Sequence, residues 1–242
     1  RCGSLLRFCK TGLGITMYEF RGATLQGAVH QALRYPALST KKLAKVAAKF
    51  DFTARMRMGS VLFIGEGNLS FALTMSRKPR VPSSSILATV NEAEEDLTDT
   101  AYDNARKLLK LGCGVKTGVD ATRLSDTIGK RQFRTIIFQF PNVASRDPRY
   151  GQNPNHVLVA RFLKSARNHL KPGGLVIVST VDSPFYEGAF KMDDAARKAG
   201  FAAPMIYTCD PEAYPGYTHE NTANEESAAD GHTAFATFVF SG

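Results

Sequence analysis

The chain has 242 residues, of which 43% are hydrophobic and 22% are charged, a composition typical of a globular protein with a substantial core. No apolar run approaches the roughly 20 residues that a membrane-spanning helix needs, and Arg7 and Lys10 interrupt the segment where a signal peptide has its apolar centre. Four cysteines lie far apart without a C-x-x-C pair, so we expect neither a disulfide framework nor a zinc ribbon, and a reducing cytoplasm is favoured. They are Cys2, Cys9, Cys113 and Cys209.

The positive charge is concentrated at the start of the chain. The formal net charge is +9, and residues 1–58 contain 11 Lys and Arg against two acids, so the remaining residues are neutral overall. Thr40 and the residues after it predict an N-capped helix with basic polar faces. The basic residues of this helix are Lys41, Lys42, Lys45 and Lys49. We expect a basic, partly helical N-terminal extension whose lysines contact RNA phosphates, with a solvated helix that has no partner as the alternative.

From residue 60 onward, short apolar runs alternate with helical patterns. The runs predict strands at 60–64, 86–90, 115–119, 134–140, 175–180, 204–209 and 234–240. Helices are predicted from the first glycine turn to Met75 and over 94–111, 155–170 and 193–199. The sequence Lys-Pro-Gly-Gly at 171–174 predicts a helix stop and a turn.

The strand sequences are rich in Val, Ile and Phe and are apolar throughout, which indicates a parallel sheet covered on both faces. A long polar loop, 210–232, joins the last two strands and fits an antiparallel pair at the sheet edge. Loops of this length are commonly lids or mobile segments. Residues 59–242 therefore predict an α/β domain with a doubly wound, mostly parallel, seven-stranded sheet, the Rossmann-like arrangement of class I methyltransferases.

The first predicted strand ends in a glycine turn, Gly65-Glu66-Gly67-Asn68, just before a helix. Glycine lets the backbone approach a ligand closely, and the N–H groups at the helix start favour an anionic group. The third glycine of the dinucleotide fingerprint is missing, which weakens an interpretation as an NAD site. An ordinary turn is the alternative.

Acidic residues follow the next two strands. Glu92 lies about 25 residues after Gly67, where a carboxylate can accept hydrogen bonds from ribose hydroxyls. Asp120, followed by Ala121, ends the third strand, where it can accept from an adenine amine. Either acid alone would be interpreted as a solvated loop residue. Polar sites at three successive strand ends instead predict one ligand at the carboxyl edge of the sheet.

Two further groups of residues are candidates for substrate contacts. The fourth strand ends in Gln139-Phe140-Pro141-Asn142, where amides can orient a nucleobase edge and an aromatic ring can stack on its face. Phe140 as an ordinary core residue is the alternative. The long loop contains Tyr214, Tyr217 and His219. His156 and His219 titrate near neutrality in their ordinary state, although isolated histidines are more often structural.

These motifs resemble, in order along residues 60–240, those of the ribosomal RNA uridine-N3 methyltransferase-like proteins of yeast and plants. The segment 61–71, VLFIGEGNLSF, is similar to the opening motif of that family. The other similar segments are 88–97, 118–122, 138–143, the helix that begins near Asn155, and Tyr214-Pro215-Gly216-Tyr217 with His219. The fourth motif departs from the family's usual N-F-P-H, because it has Gln139 and Asn142. The resemblance implies a class I methyltransferase fold and S-adenosylmethionine as the cofactor.

The hypothesis from the sequence is a cytoplasmic S-adenosylmethionine-dependent methyltransferase that acts on a nucleobase nitrogen in RNA, with ribosomal RNA as the candidate substrate and without a membrane partner. The predicted cofactor-binding residues are Gly65, Glu66, Gly67, Asn68, Glu92, Asp120 and Ala121. The predicted catalytic residues are Gln139, Phe140, Pro141 and Asn142. The predicted substrate-binding residues are Tyr214, Tyr217, His219 and the four lysines. A methyltransferase acting on a small molecule and a non-catalytic module that binds the cofactor are the alternatives.

Overall fold

A computed structural model describes residues 48–143, 147–148, 151–219 and 232–242, which all belong to the second of the chain's two units, Ser39–Gly242. The strands are β1 (Val61–Ile64), β2 (Ile86–Thr89), β3 (Gly114–Lys116), β4 (Phe133–Gln139), β5 (Leu170–Val181), β6 (Met205–Cys209) and β7 (Phe235–Ser241). The helices are α1 (Phe52–Met56), α2 (Ser70–Ser76), α3 (Asp99–Lys110), α4 (Leu124–Ile128), α5 (Pro154–Arg167), α6 (Pro184–Phe190) and α7 (Met192–Ala199).

The strands form one sheet in the order β3-β2-β1-β4-β5-β7-β6. The first five strands are parallel, with Val61 of β1 opposite Ile86 of β2 and Thr135 of β4. Strand β7 lies antiparallel between β5 and β6. This topology confirms the predicted doubly wound sheet with an antiparallel pair at one edge.

The centre of the sheet is buried on both faces. All four residues of β1 and all four of β2 are buried, as continuous apolar strands between two helical layers must be. Phe63, Ile137 and Ile177, from three neighbouring strands, belong to one hydrophobic core. No helix within the described ranges is long and apolar enough to cross a membrane.

The segment predicted as a turn at 171–174 lies inside a strand. Strand β5 begins at Leu170, opposite Phe133, but Leu175 is the residue opposite Thr135, so the pairing shifts between these two positions. Gly173 has a φ of +68°, which only glycine adopts easily. The Lys-Pro-Gly-Gly sequence therefore forms a bulge that keeps the strand paired, instead of separating it from the preceding helix.

Residues 50–58 pack with the sheet. Asp51 caps α1 by accepting a hydrogen bond from the Ala54 N–H at 2.8 Å, and Phe52 and Met56 are 2% and 0% exposed in the core. The prediction of a division at residue 58 is not tested for the chain as a whole, but these contacts place 50–58 on the domain side. The predicted helix after Thr40 is described only from residue 48, and residues 48–50 are not helical.

Candidate active site

A cleft of about 510 Å³ opens at the carboxyl edge of the parallel strands. Its lining residues are Gly65, Glu66, Gly67, Asn68, Asn91, Glu92, Val119, Asp120, Ala121, Phe138, Gln139, Phe140, Pro141, Asn142, Val143, Leu158, Tyr217, Thr218 and His219. The structure thus brings together every predicted cofactor-binding residue, the four residues that end β4, and two of the loop residues. The roles given to them remain predictions, but their convergence follows from the parallel sheet, whose strand ends meet at one edge.

The glycine turn after β1 is shaped by the neighbouring strand. Gly65 has a φ of +59°, and a Cβ atom there would lie 2.6 Å from Cε2 of the Phe138 side chain. The next N–H, that of Glu66, donates to the carbonyl of Thr89 in β2 at 3.0 Å. Glycine is therefore required at residue 65 by the backbone conformation and by the Phe138 ring, independently of any ligand.

Glu66 caps the helix that follows the turn. The N-cap of α2 is Leu69, whose side chain cannot accept a hydrogen bond, and the Glu66 carboxylate accepts from the Ala72 N–H at 2.9 Å instead. Glu66 is only 5% exposed, and burial raises the pKa of its carboxyl to about 7 although the Ala72 hydrogen bond opposes this rise. Within the described residues, Oε1 of Glu66 has no hydrogen-bond partner.

Asn68 and Ser70 hold the segment 214–219, which we name the strap. The Asn68 amide donates to the Thr218 hydroxyl at 2.8 Å, and the Ser70 hydroxyl donates to the Thr218 carbonyl at 2.8 Å. The Thr218 N–H donates back to the Ser70 hydroxyl at 3.0 Å. Asn104 of α3 supports the turn by donating to the Asn68 carbonyl at 2.8 Å. The strap is therefore fastened to the start of α2, beside the glycine turn.

The two predicted acids differ in how far their carboxylates are already engaged. Asp120 accepts from the Thr122 N–H and hydroxyl at 2.8 and 2.7 Å and from Arg123 Nε at 3.0 Å. Burial favours the neutral acid, but these hydrogen bonds and the Arg123 charge outweigh it and lower the pKa of Asp120. Glu92 is half-buried and lines the cleft. Glu92 is therefore the better placed acceptor for ligand hydroxyls, while Asp120 also caps its own turn.

The end of β4 carries a strained aromatic residue. Phe140 has a φ of +48°, which is costly for a residue with a side chain, and its N–H donates to the Ser179 carbonyl at 2.8 Å. Its ring is 9% exposed and lies 4.8 Å from the His219 ring and 5.7 Å from the Phe235 ring, between centroids. The conformation turns the chain at the cleft, so that Gln139 and Asn142 line it on either side.

The strap brings His219 to the same place. The Tyr217 hydroxyl lies 3.2 Å from His219 Nδ1. Burial and the charge of Glu66 raise the pKa of Tyr217 well above its ordinary value, so the phenol stays protonated and meets His219 as a neutral hydroxyl. The tautomer of His219 decides which of the two groups donates in this hydrogen bond.

The remaining predicted substrate-binding residues do not line the cleft among the described residues. Tyr214, predicted to bind substrate, does not line the cleft; its ring packs 5.9 Å from Phe52 and 5.3 Å from Phe71, as part of the aromatic core that the strap forms with α1 and α2. Lys49 forms an exposed salt bridge with Asp210 at 2.8 Å, and its contact with a phosphate stays a prediction. Lys41, Lys42 and Lys45 lie outside the described residues.

Some lining residues were missed in the sequence. Asn91, Val119 and Leu158 are unremarkable residues at or near strand and helix ends, and only the topology brings them to the cleft. Thr218 sits within a segment singled out for its neighbours Tyr217 and His219. His156 is structural, because it is buried and its Nδ1 lies 2.8 Å from the Phe190 carbonyl.

The sequence and fold were compared with known proteins. The model of the BMT5-like family, described as rRNA (uridine-N3-)-methyltransferase BTM5-like, matches residues 62–221, more than half of the chain. The chain belongs to this family. The family and the fold also identify S-adenosylmethionine as the cofactor of this BMT5-like chain and confirm the resemblance seen in its motifs.

Individual relatives extend the comparison. The chain is 32% identical over 171 residues to the human ferredoxin-fold anticodon-binding domain-containing protein 1, covering 65% of this chain and 27% of that protein. It is 28% identical over 170 residues to an uncharacterised Arabidopsis thaliana protein, covering 65% and 79%. The BMT5-like chain thus spans about a quarter of the length of its human relative.

A solved structure with similar architecture is the 16S rRNA (adenine(1408)-N(1))-methyltransferase from Catenulisporales acidiphilia. Its TM-score is 0.50 at 12% identity, and the alignment covers 80% of this chain and 94% of that one. At this identity the similarity concerns the fold, and it agrees with the class I methyltransferase topology of the sheet.

The cleft offers polar and apolar groups that suit S-adenosylmethionine. Glu92 offers a carboxylate to hydroxyl groups, and Asp120 retains acceptor capacity beyond its three internal hydrogen bonds. Val119 and Ala121 are buried apolar residues next to Asp120 and suit the face of an adenine ring. A carboxylate for sugar hydroxyls beside an apolar wall with a polar end is what a nucleoside requires.

Proposed function

We propose that this chain transfers a methyl group from S-adenosylmethionine to a nucleobase nitrogen in RNA, of the uridine N3 type. The observation that carries the proposal is the shared cleft, which is lined both by the candidate cofactor acids Glu92 and Asp120 and by the amides of Gln139 and Asn142. The family description supports an RNA substrate. The basic N-terminal sequence supports a polyanionic substrate as well.

The chain's own residues act mainly by positioning. When bound, the cofactor supplies an electrophilic methyl group on a positively charged sulfur. Glu92 and Asp120 would fix the nucleoside end of the cofactor, and Gln139 and Asn142 would orient the acceptor base by hydrogen bonds to its edge. Phe140 and His219, whose rings pack together, would form the wall against which the base rests.

Transfer to a uridine-type nitrogen requires loss of one proton. Gln139 and Asn142 would hold the acceptor nitrogen toward the methyl group that the bound cofactor supplies, and the proton of that nitrogen would pass to water. Orientation of the acceptor by a bound amide pair makes this displacement effectively intramolecular.

The proposal is tested by incubating the purified chain with tritiated S-adenosylmethionine and either transcribed ribosomal RNA, free uridine or uridine monophosphate. Nucleoside mass spectrometry then identifies the methylated atom. We expect label in RNA and at least a tenfold loss of turnover for Asn142→Ala with little change in cofactor affinity. The exposed residue Glu95, outside the cleft, supplies the matched control Glu95→Ala.

Two results would redirect the proposal. Transfer to the free nucleoside or nucleotide at the same efficiency as to RNA would favour the small-molecule methyltransferase. Tight cofactor binding without transfer to any of the three acceptors would favour the non-catalytic module.

A further inference from the structure

Positive charge is concentrated in the segments that precede the parallel strands. The five segments 55–60, 77–85, 107–113, 129–134 and 167–174 contain twelve Lys and Arg and no Asp or Glu. They lead into β1, β2, β3, β4 and β5 respectively, and the last of them includes the bulge at the start of β5. The domain sequence from residue 59 is neutral overall. Segments that contain only positive charge therefore imply that positive and negative residues are separated within the domain.

These segments form one surface, which we name the amino-edge surface. Because the five strands are parallel, their amino ends lie at the same edge of the sheet, opposite the cleft. Hydrogen bonds join neighbouring segments directly. Arg57 Nε donates to the Pro79 carbonyl at 3.0 Å, and Arg55 donates to the carbonyls of Arg134 and Gly173 at 2.7 and 3.2 Å.

Among the described residues, no acid lies within salt-bridge distance of a cation of this surface. The salt bridges of Lys49, Arg123, Arg197, Lys198 and His156 all lie outside the five segments. Partial burial and the neighbouring Arg134 charge both lower the pKa of Arg55. The surface thus holds like charges close together, and Arg55 and Arg57 donate to backbone carbonyls rather than to described carboxylates.

Helix macrodipoles explain only part of this arrangement. Cations are stabilised in the last turn of a helix, next to its unpaired carbonyls. However, Arg80, Lys130 and Lys171 lie beyond the ends of α2, α4 and α5. At the opposite edge, the segment 90–98, which follows β2, contains four acids and no cation. The amino edge is therefore cationic, whereas the part of the cleft edge that follows β2 is anionic.

We propose that the amino-edge surface binds the phosphate backbone of the RNA substrate, an inference that takes RNA as the substrate from the proposed function. Seven of the twelve cations are arginines, whose planar guanidinium matches phosphate oxygens. From β3 to β5 the surface spans four strand intervals, roughly 19 Å. This is the length of about five or six phosphates along a helical strand.

The position of this surface determines the kind of RNA that can use it. Strand β4 has seven residues, so the amino edge and the cleft are separated by roughly 23 Å of sheet. One RNA can reach both only if it bends or folds around the domain. The surface therefore selects structured RNA, and a short single strand that fills the cleft gains nothing from it.

The test uses the full chain and a fluorescein-labelled RNA hairpin of about 60 nucleotides, with binding measured by anisotropy across a salt series. The surface variant carries Arg80→Glu, Lys130→Glu and Lys171→Glu, at exposed residues. The control variant carries Arg106→Glu, Lys116→Glu and Lys191→Glu, which change the net charge equally at exposed residues outside the surface. Circular dichroism melting checks the fold of both variants, and calorimetry checks their binding of S-adenosylmethionine.

We expect the surface variant to lower the slope of log affinity against log salt by about 2 and to weaken binding at least tenfold in 0.1 M salt. The control should lose less than half as much. Equal losses in both variants, or RNA binding by the wild type that does not depend on salt, overturn the inference. Unlabelled RNA and poly-L-glutamate are also compared as competitors of the labelled hairpin. If both displace the hairpin at the same concentration of negative charge, the inference is overturned and an acidic protein partner is favoured.

Failure of the proposed function gives a different pattern. RNA binding by the hairpin assay needs no cofactor, so the surface can pass its test while methyl transfer to RNA is absent. Conversely, both variants could methylate a short single strand at wild-type rates and bind the hairpin equally well. That result would support the proposed function and contradict the role of the amino-edge surface in RNA binding.

Discussion

Glu66 connects the glycine turn to the helix that follows it. Its carboxylate supplies the cap that Leu69 cannot, and it does so from a site that is almost fully buried. Burial raises the pKa of the group to about 7 from an ordinary value of 4.5. A proton is therefore bound or released inside the domain close to physiological pH, next to the cleft.

This pKa predicts how stability depends on pH. Between pH 4.5 and 7 the folded chain retains the Glu66 proton, whereas the unfolded chain releases it, so this contribution is complete below pH 4.5 and is lost as pH rises to about 7. The loss amounts to about 3 kcal/mol. Glu66→Gln keeps an oxygen for the Ala72 N–H and cannot titrate. We expect urea unfolding between pH 4.5 and 8 to show this decline in the wild type and not in the variant, and parallel curves would contradict the assignment.

Glu92 is expected to contribute most of the affinity for the ribose. Charge-assisted hydrogen bonds contribute about 1.5–3 kcal/mol, so Glu92→Ala should weaken S-adenosylmethionine binding by roughly 10- to 150-fold. Glu94→Ala, two residues away and outside the cleft lining, is the matched control and should change affinity less than twofold. Titration calorimetry measures both. Equal affinities for the two variants would make Glu92 a solvated loop residue.

At the scale of elements, helix α2 holds the strap, so that part of the long loop lines the cleft. Ser70 Oγ both donates to and accepts from the Thr218 backbone, and Phe71 of the same helix packs 5.2 Å from the Tyr217 ring. The helix that begins beside the cofactor turn therefore also sets the position of His219. The proposed cofactor binding in the glycine turn and the proposed contact of His219 with the acceptor would therefore be connected through one short helix.

Removal of the Ser70 hydroxyl should release the strap without unfolding the domain. Ser70→Ala removes the acceptor of the Thr218 N–H and one of the two donors to the Thr218 carbonyl, which retains the Asn68 amide at 3.3 Å, and this costs about 1–3 kcal/mol of local stability. We expect amide hydrogen exchange at Thr218 to accelerate roughly 5- to 150-fold, which is this cost expressed as a rate. Ser85→Ala, which removes an exposed hydroxyl bonded to the Pro82 carbonyl, is the control. Unchanged exchange at Thr218 would show that Asn68 alone holds the strap.

The sequence predicted the elements whose pattern is local. The seven strands were found within a few residues because each is a short apolar run, and the mostly parallel arrangement of the sheet followed from the helices between them. Helices α1, α4 and α6 were missed, since helices this short give little periodicity. The direction in which a side chain points also depends on residues that are distant in the sequence. Tyr214 and Tyr217 are three residues apart, yet only Tyr217 lines the cleft, because Phe52, far away in the sequence, packs against Tyr214.

At the scale of the whole molecule, charge and packing divide the chain differently. The net positive charge of the sequence ends at residue 58, and this placed the predicted boundary there. The apolar residues that complete the core begin earlier, with Phe50 packed 5.0 Å from Phe52 and 5.4 Å from Tyr207 of β6. The distribution of charge along the sequence shows where the character of the surface changes. The boundary of a folded domain is instead set by the residues that are buried in its core.

Two shortened chains distinguish the charge boundary at residue 58 from the earlier boundary set by core packing. A chain that begins at Ser39 retains α1 and should unfold in urea with a free energy close to that of the full chain, because all of the sheet's described contacts remain. A chain that begins at Gly59 loses the buried side chains of Phe52 and Met56, each of which is expected to contribute about 2–5 kcal/mol. Its free energy of unfolding should fall by more than about 4 kcal/mol, and Phe52→Ala in the full chain should reproduce about half of this loss. Equal stability of the two shortened chains would move the boundary back to residue 58 and leave α1 as an appendage of the basic extension.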